Sequence, residues 1–214
     1  MTHAQREYRS QKRIHQDILN LVSCFSLIKK NMKILDVACG TGVLTEKLLS
    51  IYPYLSHHVY MIDIEELTVP LDGAYFIRGN LNSTIELEDN LFDLIISTET
   101  IEHLYNPHGF LKELSRVLKQ GGRLIITTPN IHNIFSRALF LFTGDLQWFR
   151  RWSMYQPGGH IWPLYEMTLE LLLKKNKFKI IKKVTTTGRI LGTKITFPVR
   201  GQFWGEILIY FAEK

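Results

Sequence analysis

Three residues spaced for joint work stand in the stretch Ser97-Thr98-Glu99-Thr100-Ile101-Glu102-His103-Leu104. If a helical turn runs through it, Glu99, Glu102 and His103 lie at i, i+3 and i+4 and share one face. Two carboxylates beside an imidazole supply proton carriers, or the mixed oxygen and nitrogen ligands that Mg²⁺, Mn²⁺ or Zn²⁺ accept. His160, much later in the chain, is a candidate fourth ligand. A plainer arrangement needs no metal: Glu102 charges the next helix start, and His103 hydrogen-bonds beside a substrate.

A second constellation combines carboxylates with glycines. Lys33 to Val37 is short, apolar and β-branched, as a buried central strand should be, and it carries Asp36 near its carboxyl end. Gly40 and Gly42 then let the backbone turn sharply and approach a ligand with no Cβ in the way. From Val43 the apolar residues fall on adjacent helical turns, so amides of a helix start face the turn. A second strand, His58 to Ile64, ends at Asp63, 23 residues beyond Gly40. That interval places a carboxylate where an α/β nucleotide fold grips ribose hydroxyls. An Asp that merely caps the following turn is the alternative. A third strand, Tyr75 to Leu81, brings Asn80 to the same edge.

A dinucleotide fingerprint requires a third small residue in G-x-G-x-x-G/A, and Thr45 occupies that place. Asp36, Ala38, Gly40 and Gly42 instead fit the pattern acidic-x-G/A-x-G-x-G. In this they resemble the first motif of class I S-adenosylmethionine-dependent methyltransferases, with Ala38 in place of a glycine and Asn80 where Asp is usual. The resemblance implies cofactor contact by Asp36, Ala38, Cys39, Gly40, Thr41, Gly42, Asp63, Ile64, Asn80, Leu81, Thr98 and Glu99. The Glu-x-x-Glu-His set is similar to that of quinone-biosynthetic O-methyltransferases and small-RNA 3′-end 2′-O-methyltransferases, where it is associated with a divalent metal. It therefore implies Glu99, Glu102, His103 and His160 as a ligand set. Methyl transfer from an activated sulfonium asks mainly for alignment of a nucleophile and removal of its proton. His103 and His160 are the candidate bases, with Glu102 beside them.

The elements that must position these residues alternate. A helix over 5–28 carries the stripe Ile14, Ile18, Leu21, Val22 and Phe25. Leu91 to Ser97 reads as a fourth strand, followed by a helix over 107–119 that Gln120-Gly121-Gly122 stops. Arg123 to Thr128 is the fifth strand, ending at Pro129. A helix over 165–175, a strand over 178–187 and a last strand near Glu206 to Phe211 complete the set. This schedule predicts an α/β, doubly wound, Rossmann-like sheet of seven mostly parallel strands with helices on both faces. The resemblance implies that the last strand inserts antiparallel between the fifth and sixth.

One domain over 1–214 is expected, with a substrate-side insertion at 131–164. That insertion holds Phe135, Phe140, Phe142, Trp148, Phe149, Trp152, Tyr155 and Trp162 with Arg137, Arg150 and Arg151, and Gly158-Gly159 could hinge it. Aromatics among arginines suit an amphipathic acceptor, a lipid-linked molecule or a membrane surface; a helical lid packed on the core would use the same residues. Cys24 and Cys39 are expected as reduced thiols, and the N-terminus lacks the apolar core of a secretory signal, so the cytoplasm is the expected compartment, with peripheral membrane contact. The net charge is +6, and the basic residues are spread in small groups. Three functions stay open: methylation of a hydroxyl on a small or lipid-linked molecule, 2′-O-methylation of an RNA end, and cofactor binding without catalysis.

Overall fold

The computed structural model of the chain describes residues 9–67, 70–150, 159–187 and 201–214. Its helices are α1 (Arg9–Cys24), α2 (Val43–Ile51), α3 (Pro107–Val117), α4 (Ile134–Thr143) and α5 (Glu166–Lys175). Its strands are β1 (Ile34–Val37), β2 (Val59–Asp63), β3 (Ala74–Arg78), β4 (Phe92–Ser97), β5 (Leu118–Pro129), β6 (Lys179–Thr185) and β7 (Ile207–Glu213). They form one sheet in the order β3-β2-β1-β4-β5-β7-β6. The pairs from β3 through β5 are parallel, and β7 runs antiparallel to both β5 and β6. The expected mostly parallel, seven-stranded sheet with an inserted antiparallel last strand is what the chain adopts.

Alternation along the strands divides the core in two. Leu35, Val37, Ile95, Leu124, Ile126 and Tyr210 pack on the face that α3 and α5 cover, with Phe110, Leu114, Leu169 and Leu173. Ile34, Leu94, Ile96, Ile125 and Ile209 pack on the other face with Ile14, Ile18, Val22, Leu44 and Leu48 of α1 and α2. Asp36 lies on this second face, under α2.

Several element ends differ from the sequence expectation. α1 ends at Cys24, so Phe25 leaves the stripe; it is 42% exposed and tilts against Phe211, with ring centroids 4.9 Å apart. The first residues of the expected helix, 5–8, lie outside the described residues. α3 ends at Val117, before the glycines. Leu118 already pairs with Phe92, and the register shifts before Arg123 pairs with Leu94, so Gly121 (φ 75°) serves an irregularity inside β5. The fully buried Leu118 explains why strand wins there: pairing with β4 keeps its side chain in the core.

Candidate active site

Every residue singled out for chemistry, save His160, sits on or just after a parallel strand's carboxyl end. Val37 of β1 pairs with Ile62 of β2 on one side and with Ser97 of β4 on the other, and Ser97 pairs with Ile126 of β5. The glycine turn, Asp63 and the turn after β4 therefore leave one edge side by side, as in open α/β sheets that bind ligands there.

In the glycine turn, Ala38 (φ 56°), Gly40 (φ 54°) and Gly42 (φ 76°) are all left-handed. A Cβ at Gly40 would meet nothing within 4 Å, so this backbone faces open space of the kind a ligand fills. Asp63 bridges the turn to its own loop: one carboxylate oxygen accepts from the Gly40 amide at 2.8 Å and the other from the Glu65 amide at 3.1 Å. Each oxygen retains acceptor capacity for a hydroxyl. Asp36 is only 3% exposed, and burial pushes its carboxyl up to about 6 against the acceptor bond from Thr45, with Asp63 adding to the rise. The Thr45 hydroxyl donates to Asp36 at 2.7 Å. Thr45 argued against a dinucleotide fingerprint; its own role, as a hydrogen-bond donor to a buried carboxylate, needed the helix to be folded over the strand. Burial, then the nearby Asp36 and Asp63, pushes the Cys39 thiol far above its ordinary value, so it stays a thiol.

Asn80 lies past the end of β3 in an exposed loop. Its side-chain oxygen accepts from the Asn82 amide at 2.9 Å, closing a local turn. Leu81 is buried and Ile64 exposed beside it. Thr41 is exposed at the tip of the glycine turn. The Thr98 hydroxyl is enclosed with no hydrogen-bond partner among the described residues.

The turn after β4 is a single 3₁₀ turn, Ile101–His103, and Glu99 before it has φ 49°. This breaks the i, i+3, i+4 geometry. Glu99 hydrogen-bonds with Thr127 instead, its amide donating at 2.9 Å and its carboxylate accepting at 3.2 Å. Glu102, His103 and His160 do converge, with one ligand-type atom of each within 4.8 Å of the others. Among the described residues the candidate ligand set is thus three residues, and Glu99 is not one of them, because the left-handed backbone turns it toward β5.

The insertion's return brings His160 in. The Ile161 and Trp162 amides both donate to the Glu102 main-chain oxygen, at 2.9 and 3.0 Å, and His103 Nδ1 lies 3.1 Å from the Gly159 carbonyl. That contact sets Nδ1 as the donor and Nε2 as the acceptor-type nitrogen of the ring. The His103 and His160 rings meet edge to face at 4.6 Å. Glu102 is fully buried; Oε2 accepts from Thr128 at 3.2 Å, whereas Oε1 has no hydrogen-bond partner among the described residues. Burial, and then Glu99, raises the Glu102 carboxyl well above its ordinary range. Burial and the adjacent Glu206 likewise lift Glu99, to about 8. Burial and His103 push His160 down to about 4, which keeps it neutral at physiological pH. A neutral imidazole, a second imidazole and a carboxylate oxygen lacking a bond are donors that suit a divalent cation.

Sequence reasoning missed Thr127, Thr128 and Glu206. The paired threonines closing an apolar strand were a legible signal of polar groups at a buried edge. Glu206 had none, since it reaches Glu99 only through the antiparallel seating of β7. Of the expected hinge, Gly158 lies outside the described residues, as do Arg151, Trp152 and Tyr155, together with 188–200 of the second connection.

The sequence matches the family model described as Methyltransferase domain over residues 4–183. It is 28% identical over 132 residues to the ubiquinone biosynthesis O-methyltransferase of Maricaulis maris, covering 58% of this chain and 49% of that one. It is 30% identical over 160 residues to the mitochondrial ubiquinone biosynthesis O-methyltransferase of Homo sapiens, covering 70% and 42%. The chain thus spans less than half the length of these two relatives. Its fold is similar to the crystal structure of a SAM-dependent methyltransferase from Thermotoga maritima, with a TM-score of 0.67 at 19% identity over 99% of this chain and 94% of that one.

Proposed function

The chain belongs to the methyltransferase domain family, in its class I, S-adenosylmethionine-dependent form, and from that premise we propose that it transfers the cofactor's methyl group to a hydroxyl on a small or lipid-linked molecule. The observation that carries the reading is the convergence of Glu102, His103 and His160 one strand away from the glycine turn. In this reading Asp63 accepts from the ribose hydroxyls, and the open backbone at Gly40 takes the amino-acid end of the cofactor. The cofactor supplies an activated methyl, so the chain has only to align the acceptor and take up its proton. Without a bound ion, His103 Nε2 is the better-suited base, because His160, depressed to about 4, accepts a proton poorly at neutral pH.

Glu102, His103 and His160 would together hold a divalent ion, with His103 Nε2 then a ligand in place of the base, and the ion would lower the pKa of a coordinated hydroxyl. Similarity to the O-methyltransferases named above supports an oxygen acceptor. Two measurements test the reading. Calorimetry should show S-adenosylmethionine binding that weakens about 100-fold in Asp63→Ala, as expected for loss of two charge-assisted hydrogen bonds. Label from the methyl group should reach a quinol or phenolic acceptor, and chelation of divalent metal should abolish that transfer without altering cofactor affinity. Undiminished affinity in Asp63→Ala refutes the cofactor assignment, and transfer that persists under chelation refutes the metal.

A further inference from the structure

The end of α4 presents three consecutive large apolar side chains to solvent: Phe140 is 57% exposed, Leu141 77% and Phe142 83%. Helices of the core bury such residues, as Leu169 and Leu173 of α5 are buried. The exposed run adjoins an open cleft of about 450 Å³ whose walls include Ile131, Leu146 and Tyr165. Arg137, on the same helix, stacks over Phe203 at 5.1 Å, and the Phe203 carbonyl accepts from the Ile134 amide, which ties the 201–205 segment to α4. Phe203 and Trp204 are themselves 54% and 40% exposed. These contacts gather the exposed apolar and aromatic residues of α4 and of 201–205 just past the carboxyl end of β5.

We propose that this surface docks on the interface of an anionic lipid bilayer, with Phe140, Leu141 and Phe142 inserted among the acyl chains near the headgroups. Charge complementarity selects this occupant. The segment 131–164 carries Arg137, Arg150 and Arg151 against Asp145 alone, and the segment 186–205 carries Arg189, Lys194 and Arg200 with no acidic residue. Counted on the sequence, these two segments carry net charges of +2 and +3 within a chain of net +6. Basic residues in the same stretches as exposed aromatics are what an anionic interface attracts, electrostatics drawing the protein in and apolar burial holding it. Aromatic rings with one polar rim suit the headgroup level. Among the described residues no helix is long and apolar enough to cross a membrane. Bound this way, the carboxyl edge that holds the candidate active site lies close to the lipid surface.

The test is co-sedimentation of the full chain with phosphatidylcholine vesicles, with and without phosphatidylglycerol. Binding to the mixed vesicles is expected, weakening with salt, and weakening at least tenfold in Leu141→Ser/Phe142→Asp, while the thermal midpoint and S-adenosylmethionine affinity of that variant stay unchanged. Arg137→Gln is expected to weaken binding and flatten its salt dependence. Equal binding to both vesicle types, or binding that the double variant leaves intact, overturns the proposal. So does a dimer in lipid-free solution that the same variant dissolves, since a second copy of the chain would then be the occupant. None of these readouts depends on methyl transfer, so the docking surface and the proposed activity stand or fall separately.

Discussion

Asp36 carries a stability cost that the chain accepts beside the glycine turn, and replacing it with Asn measures that cost. Its carboxyl, under α2 with Thr45 as donor, ionises at about 6 in the folded protein against 3.8 in an open chain. The native state thus binds the proton more tightly than the unfolded state. Stability from this group is complete below about pH 4 and is lost as pH rises through about 6. A shift of roughly two pH units corresponds to about 3 kcal/mol. Asp36→Asn removes the titration but introduces an amide that needs its own partners, at about 1–3 kcal/mol. The informative quantity is therefore the change with pH, in which that constant cost cancels. Urea unfolding of both proteins at pH 4 and pH 8 should show Asp36→Asn gaining about 3 kcal/mol relative to wild type between the two. A difference flat with pH, or one in which wild type gains, refutes the assignment of a desolvated carboxylate. The same variant should bind S-adenosylmethionine more weakly at pH 8, where wild type presents a negative charge to a cofactor of net positive charge.

Three further substitutions probe the same edge. Thr45→Val removes a hydroxyl donor to Asp36 and should destabilise the protein at pH 8 by about 1–3 kcal/mol, with little loss at pH 4, read from the same unfolding curves. Ala38→Gly should raise stability by about 1 kcal/mol, because φ of 56° strains a residue with a Cβ, and differential scanning calorimetry will register the higher midpoint. Asn130 is fully buried; its amide donates to the carbonyls of Gln202 and Gly205 at 2.8 and 2.7 Å, and its oxygen accepts from the His132 amide at 3.0 Å. Asn130→Ala should cost about 3 kcal/mol and speed amide exchange in both 131–136 and 201–206, because one side chain pins the two segments together.

The order of strands and helices was legible because buried parallel strands and amphipathic helices write different periods into the chain. The motif Asp36, Ala38, Gly40 and Gly42 was legible because a left-handed turn against a ligand tolerates few residue types, and three of these four positions do have positive φ. The distance from Gly40 to Asp63 was legible because one βαβ unit has a nearly fixed length. The structure decided matters that depend on residues remote in sequence. Whether Leu118 ended a helix or began a strand turned on Phe92 being there to pair with it. Glu99 left the ligand set because Thr127, on the neighbouring strand, offered its hydroxyl and amide bonding compensated a left-handed backbone. His160 joined Glu102 and His103 through main-chain bonds from 161 and 162, which no spacing encodes. Local sequence thus determined which groups stand at the sheet's carboxyl edge, since that follows from backbone periodicity and turn sterics. Which of them meet, and how burial shifts their charges, was set by packing between segments far apart in the chain.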